Sequence, residues 1–187
     1  MNFSPSFYSN AQVNRCTRIT DRSLYSMADN LPHLSGVSVD FCNEITGAAI
    51  VAVAAHCPKL MKLSTTRCMK ISAKDITEVI NTVGWVAPLP FFLLSKHTHS
   101  WGMYRDRFRW GGFSECSVDE GVVICIAESC PYLEMLDLSH VRTITSKGTI
   151  SLAMHCPHLQ ILDLTGNCHI NDSAVQVRLA SFFLSVQ

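Results

Sequence analysis

Cys16, Cys42 and Cys68 recur at a step of twenty-six residues, and the text that follows each of them recurs too. Cys16-Thr-Arg-Ile19-Thr20-Asp21, Cys42-Asn-Glu-Ile45-Thr46-Gly47 and Cys68-Met-Lys-Ile71-Ser72-Ala73 align without gaps. Val141-Arg-Thr-Ile144-Thr145-Ser146 and Asn167-Cys-His-Ile170-Asn171-Asp172 continue the series at the same step. A fixed period of this size means that each unit is one supersecondary element with an apolar face it cannot bury alone, so the units must stack. A stack of this kind offers a long surface rather than a single pocket.

Within each unit the apolar spacing changes once. Five residues after the isoleucine come Leu24, Ile50, Ile76, Val123 and Thr149. Eight and nine after it come Met27-Ala28, Val53-Ala54, Val79-Ile80, Ile126-Ala127 and Leu152-Ala153. Twelve after it come Leu31, Cys57, Val83, Cys130 and Cys156. Offsets of three, four and seven describe the buried stripe of a helix. Thr20-Asp21, Asp119-Glu120, Thr145-Ser146 and Asn171-Asp172 stand where side chains cap a helix start and suit its positive end. Pro32, Pro58, Pro131 and Pro157 then stop the helix. Leu34-x-x-Val37-x-Val39, Leu60-x-x-Leu63-x-Thr65, Leu133-x-x-Leu136-x-Leu138 and Leu159-x-x-Leu162-x-Leu164 end in alternation, which is the pattern of a strand buried on one face. Each unit therefore reads as helix, turn, strand, turn, with strands stacked in parallel and helices on the outer side.

This pattern resembles the cysteine-containing leucine-rich repeat, whose consensus runs roughly C-x-x-I-T-D-x-x-L-x-x-L-A-x-x-C-P-x-L-x-x-L-x-L. Residues 42–60 and 144–164 match it most fully. The resemblance implies an α/β solenoid of about six units, strands on the concave face and helices on the convex one. It divides the chain into a polar lead at 1–15, repeat units at 16–83, a degenerate repeat with an insert at 84–114, repeat units at 115–175, and an irregular tail at 176–187.

The break after residue 83 is the main departure. Val86, Leu89 and Phe91 fall where strand leucines belong, but Pro88 and Pro90 lack the N–H groups of a central strand. The next unit, anchored at Val118, arrives twenty-one residues late. The intervening stretch holds all three tryptophans and the run Tyr104-Arg105-Asp106-Arg107-Phe108-Arg109-Trp110. Trp101, Arg105, Arg107, Arg109 and Trp110 are the candidate contacts of this insert. It reads as a loop that grips a protein, as an arginine-aromatic platform for single-stranded nucleic acid, or as a degenerate repeat of no separate function.

Fifteen basic residues balance fifteen acidic ones, so no net field draws the chain to nucleic acid or an anionic membrane. No apolar run approaches the roughly 18 residues of a spanning helix. Nine cysteines, recurring at fixed places in the repeat, read as small buried side chains and free thiols in a reducing compartment. The expected location is cytoplasmic, with the nucleus as the other compartment allowed. His56-Cys57, His155-Cys156 and His158 belong to equivalent points of different units, and do not form the two close pairs of a structural zinc site. No phosphate loop, G-x-S-x-G or H-E-x-x-H is present, and the ladder cysteines face aliphatic neighbours. The expectation is no enzyme, no cofactor and no metal.

Residues alternating with the buried strand leucines should face the concavity: Ser38 and Asp40; Lys62, Ser64 and Thr66; Met135, Asp137 and Ser139; Ile161, Asp163 and Thr165. They are the candidate partner-binding residues, and a basic element is favoured near Asp137 and Asp163. The resembled repeat is most familiar in F-box proteins, where it holds substrates for Skp–cullin–F-box ubiquitin ligases. The F-box occupies some forty residues ahead of the repeats, and the short lead before Cys16 has no Leu-Pro-x-Glu-like opening. The expectation is thus a substrate-recognition array acting in ubiquitin-dependent catabolism without its F-box, with Skp and cullin as partners only if an F-box is supplied by further sequence. The alternative is an F-box-independent scaffold or regulator that binds a protein, with RNA binding through 104–112 the least favoured reading.

Overall fold

A computed structural model describes residues 9–84, 108–171 and 183–185. Seven strands, Ser9–Gln12 (β1), Leu34–Ser38 (β2), Lys62–Ser64 (β3), Trp110–Gly112 (β4), Met135–Asp137 (β5), Ile161–Asp163 (β6) and Phe183–Ser185 (β7), form one parallel sheet in chain order. The described helices are Asp21–Asn30 (α1), Gly47–His56 (α2), Ala73–Gly84 (α3), Glu120–Ser129 (α4) and Ser146–His155 (α5), and each packs on the next. A parallel pair needs a crossover, and from β1 to β6 a helix of each coil supplies it. The architecture is the expected leucine-rich-repeat solenoid.

The register follows the repeat. Gly36 pairs with Lys62, and Met135 with Ile161, each one period on. One continuous core runs between sheet and helices, built from the predicted leucines, valines and isoleucines. Cys42, Cys57, Cys68, Cys130 and Cys156 lie in it. Three predicted members of the set fall outside. Leu31 is 44% exposed at the end of α1. Cys16 is exposed, and Cys168 is exposed because Asn167 takes the ladder position beside it.

A left-handed residue follows each of the strands β1 to β6. Arg15, Phe41, Arg67, Glu115 and His140 have φ between 52° and 62°, and Gly166 has 75°. Such a conformation costs a non-glycine residue about 1–2 kcal/mol. The turn it creates aims each amide at the following coil: Arg15 N–H donates to Asp40 O at 2.7 Å, Phe41 to Thr66 at 2.8 Å, Arg67 to Ser114 at 3.0 Å, Glu115 to Ser139 at 3.1 Å and His140 to Thr165 at 2.7 Å. The strain is thus offset by extending the sheet ladder past the strand ends. On the outside of this column Phe41 lies between the guanidinium groups of Arg15 and Arg67, at 5.1 and 5.6 Å, and Arg67 pairs with Glu115 at 2.9 Å.

After three of these turns a thiol is also bonded across coils. Cys42 Sγ donates to Val13 O at 3.1 Å, Cys68 to Val39 O at 3.1 Å and Cys116 to Thr65 O at 2.8 Å. Asn167 Nδ2 makes the equivalent bond to Leu138 O at 2.9 Å. Helix starts are stitched likewise. Thr20 makes no side-chain cap bond, contrary to expectation. Asp21 reaches instead to the next coil, where it accepts from Thr46 N at 2.8 Å and Thr46 Oγ1 at 2.7 Å. Glu120 accepts from Gly148 N at 2.9 Å in the same way. Asp119 and Thr145 cap their own helices, accepting from Val122 N and Lys147 N.

The sequence boundaries need three corrections. The lead is not separate up to residue 15, since β1 pairs with β2 as the first strand of the sheet. Its polar residues fit an edge strand whose outer side faces solvent. The tail at 176–187 reads as irregular in the sequence, but β7 pairs with β6. The coil begun by α3 is completed not at Val86–Phe91 but at Phe108–Phe113, as Lys62 pairs with Trp110. Phe108 and Phe113 bury the faces that leucines fill elsewhere. Residues 85–107, with Val86, Leu89, Phe91, Trp101, Arg105 and Arg107, lie outside the described residues.

Burial pushes the Cys68 and Cys156 thiols up to about 12 from an ordinary 9.0. Below pH 9 both folded and unfolded thiols are neutral, so their full contribution is present. As pH rises from 9 toward 12 the unfolded chain ionises first, and each such thiol withdraws up to about 1.4 kcal/mol of stability per pH unit. Chemical denaturation at pH 8 and pH 10 should show that loss, and it should shrink in Cys68→Val; equal loss in both proteins would contradict it. Cys57→Ser or Cys156→Ser should lower unfolding stability by about 1–3 kcal/mol through a hydroxyl buried in place of the thiol, and an unchanged denaturation midpoint would contradict the burial.

Candidate functional site

Side chains on the outer face of the sheet form three rows across the coils. The register places Asn10, Gly36, Lys62, Trp110, Met135 and Ile161 in the first. Gln12, Ser38, Ser64, Gly112, Asp137 and Asp163 form the second. Asn14, Asp40, Thr66, Ser114, Ser139 and Thr165 follow the strand ends as the third. Every predicted concave residue therefore falls in one of these rows. Arg109 and Trp110, assigned to the insert by sequence, belong to the sheet instead: Trp110 opens β4, and Arg109 precedes it.

The two halves of the face differ. In the first three coils the polar side chains are turned on one another. Asp40 Oδ1 accepts from Ser64 Oγ at 2.5 Å and Thr66 N at 2.9 Å, and Asp40 Oδ2 accepts from Ser38 Oγ at 2.9 Å. Ser38 Oγ also lies 2.6 Å from Asn14 Oδ1. Ser38 and Ser64 are buried in this network. Their bonding capacity is used in joining the coils, so Asn14, Lys62 and Thr66 present more of the surface there than the serines do.

From β4 to β6 the face is apolar in its first row and acidic in its second. Ile161 is 41% exposed, and Trp110 and Met135 are half-buried beside it. Gly112 makes room for the tryptophan on this face, and Gly111 for Phe113 on the other. A Cβ at Gly112 would lie 3.3 Å from Trp110 Cη2 and 2.6 Å from Ser64 Oγ. A Cβ at Gly111 would lie 2.7 Å from the Phe113 ring on the inner side. The Trp110 indole accordingly lies along the face, one edge toward Gly112 and its N–H against Met135 Sδ. Asp137 and Asp163 each accept one amide two residues on, from Ser139 N and Thr165 N at 2.9 Å. Neither forms an ion pair among the described residues; Arg109 is committed to Glu134.

Two hollows border Trp110. One of about 310 Å³ reaches toward Asn10, Gly36, Ser38 and Lys62, and one of about 450 Å³ toward Arg109, Glu134, Met135 and Ile161. A wider hollow of about 640 Å³ lies on the rim between Cys116, Asp119, His140 and Arg142. Its acidic groups are already engaged: Glu115 pairs with Arg67, and Asp119 caps α4. The concave face is the better candidate.

Among the described residues the buried thiols are held in their neutral form. Burial raises Cys42, Cys57, Cys68, Cys116, Cys130 and Cys156 away from the thiolate form that a nucleophile needs. His56 Nδ1 and His155 Nδ1 bond back to Ala52 O and Ser151 O of their own helices, at 2.8 and 2.9 Å. Among the described residues no three His, Cys, Asp or Glu side chains converge as metal ligands. No described helix is long and apolar enough to cross a membrane.

A family described as Leucine Rich repeat matches residues 155–177. Among solved structures, the yeast Rad7–Elc1 complex contains a chain with the same fold, at a TM-score of 0.66 and 18% identity. The match covers 92% of this chain and 39% of that one, so the chain spans well under half the length of its structural counterpart. No curated protein matches by sequence. Repeat match and structural likeness agree on the leucine-rich-repeat fold.

Gly111→Ala should lower stability by about 1–3 kcal/mol by driving the new methyl into the Phe113 ring. Urea denaturation checks this, and an unchanged midpoint would mean that β4 does not sit between β3 and β5 as described.

Proposed function

We propose that this chain is the substrate-recognition array of a larger assembly, and that it holds a protein segment on the concave face between β3 and β6. The observation that carries this reading is the apolar row Trp110–Met135–Ile161, which lies open beside two carboxylates while the comparable groups of the first coils are bonded to each other. Tryptophan and methionine are enriched at the centres of protein interfaces. The core and the turns have no need of these side chains, so their placement serves a partner.

The assembly that fits best is a Skp–cullin–F-box type ubiquitin ligase, in which such an array selects the target and another part of the protein docks on the Skp adaptor. The sequence resemblance supports it, as does the likeness to a repeat protein solved in complex with Elc1. The role is to hold a target for catabolism, not to transfer ubiquitin. An F-box-independent scaffold binding a protein on the same face is the second reading. RNA binding through 104–112 loses part of its basis, because Arg109 is paired with Glu134 and Trp110 lies in the sheet.

Affinity purification of the full gene product tests the assembly. Recovery of a Skp adaptor and a cullin is the expected result, and their consistent absence would turn the reading to a scaffold. The face itself is tested by Trp110→Ala. That variant should keep the melting profile within about 1–2 kcal/mol of stability yet weaken partner capture by about tenfold or more, whereas full capture by the folded variant would remove the concave face as the site.

A further inference from the structure

The second row of the concave face carries a charge that no described basic side chain pairs with. The register puts Asp137 and Asp163 side by side on β5 and β6, about 4.8 Å apart at the backbone. Like charges directly opposite on neighbouring strands are destabilising. Each carboxylate uses Oδ1 on its own turn, and among the described residues Oδ2 of each accepts no hydrogen bond. No lysine or arginine stands in the three rows between β4 and β6. Gly112 continues the same row on β4, and the Trp110 indole lies toward it. An aromatic face and two carboxylates thus border one spot, with Met135 and Ile161 one row away.

Resting on the reading of this face as a protein-binding surface, we propose that it recognises a partner segment bearing an arginine or lysine beside an apolar side chain. The cation lies over the Trp110 ring and against Asp137 and Asp163, and the apolar neighbour packs on Met135 and Ile161. A cation within about 6 Å of an indole centroid is attracted by the ring quadrupole. A guanidinium adds paired hydrogen bonds to carboxylate oxygens. Lys62, on the opposite side of Trp110, repels a second cation and so sets the direction in which a charged segment crosses the strands.

A random heptapeptide display library selected on the full chain tests this, with selected peptides then measured by fluorescence anisotropy. The expected outcome is enrichment of arginine or lysine next to a large apolar residue. Affinity should fall about tenfold or more in Asp137→Asn/Asp163→Asn, and further at raised salt. Asparagine keeps the Oδ1 that accepts each turn amide, so these variants retain their fold, which a thermal melt verifies. Peptides that need Trp110 but carry no basic residue would overturn the cation site and leave the face standing. Failure to select binders, or binders indifferent to Trp110→Ala and to both asparagine substitutions, would overturn the face and the cation site together. Self-association of the chain, measured by sedimentation and abolished in the asparagine variant, would make a second copy the occupant and overturn the partner segment.

Discussion

The structure depends on hydrogen bonds that cross from one coil to the next at the turn after each strand. There a residue in the left-handed region sends its amide to the following coil, and a buried thiol or amide side chain sends its proton to the preceding one. Neither bond exists within a single unit. A parallel three-residue strand has few ladder bonds of its own, and these turn contacts lengthen each pairing on the side where the chain leaves the sheet. They also fix the register, because a slip of one residue would turn every leucine outward. Asp21 and Glu120 apply the same logic to the helices by capping the neighbouring helix rather than their own.

This constraint explains how the chain admits an insertion of some twenty residues without losing its surface. The insertion falls between α3 and β4, at the one point of a coil where the chain has left the helix layer and has not yet joined the sheet. Once the chain returns at Phe108, its next eight residues repeat the bonds of the other coils, down to Cys116 donating to Thr65 O. Lys62 and Trp110 are therefore neighbours despite their distance in sequence. The concave face is continuous, and Trp110 sits in the middle of it.

Most of the architecture was legible because leucine spacing, proline stops and the cysteine step each report the same period. The fourth strand was not. Phe108, Gly111 and Phe113 stand where leucines stand elsewhere, so hydropathy alone pointed to Val86, Leu89 and Phe91. A better signal was available: Leu34 and Leu60 lie eight residues before Cys42 and Cys68, and counting eight back from Cys116 gives Phe108. The first strand escaped notice because Ser9–Gln12 carries one apolar residue, Ala11, and the last because no proline stop stands between Ile170 and Phe183. For the candidate site, alternation placed the side chains on the correct face. It gave no means of telling Ser38 and Ser64, which are consumed by Asp40, from Met135 and Ile161, which are open. That distinction depends on hydrogen bonds between coils, which a single repeat does not display.

The position of Trp110 on the sheet supports the whole functional reading, and nuclear Overhauser contacts measure it directly. Backbone contacts joining Leu63 to Gly111 and Gly111 to Leu136, with contacts from the Trp110 indole to the Met135 methyl, are the predicted result. Contacts joining Leu63 to Leu89 instead would seat the prolines of the insert in the sheet, lift Trp110 off the concave face and contradict the account.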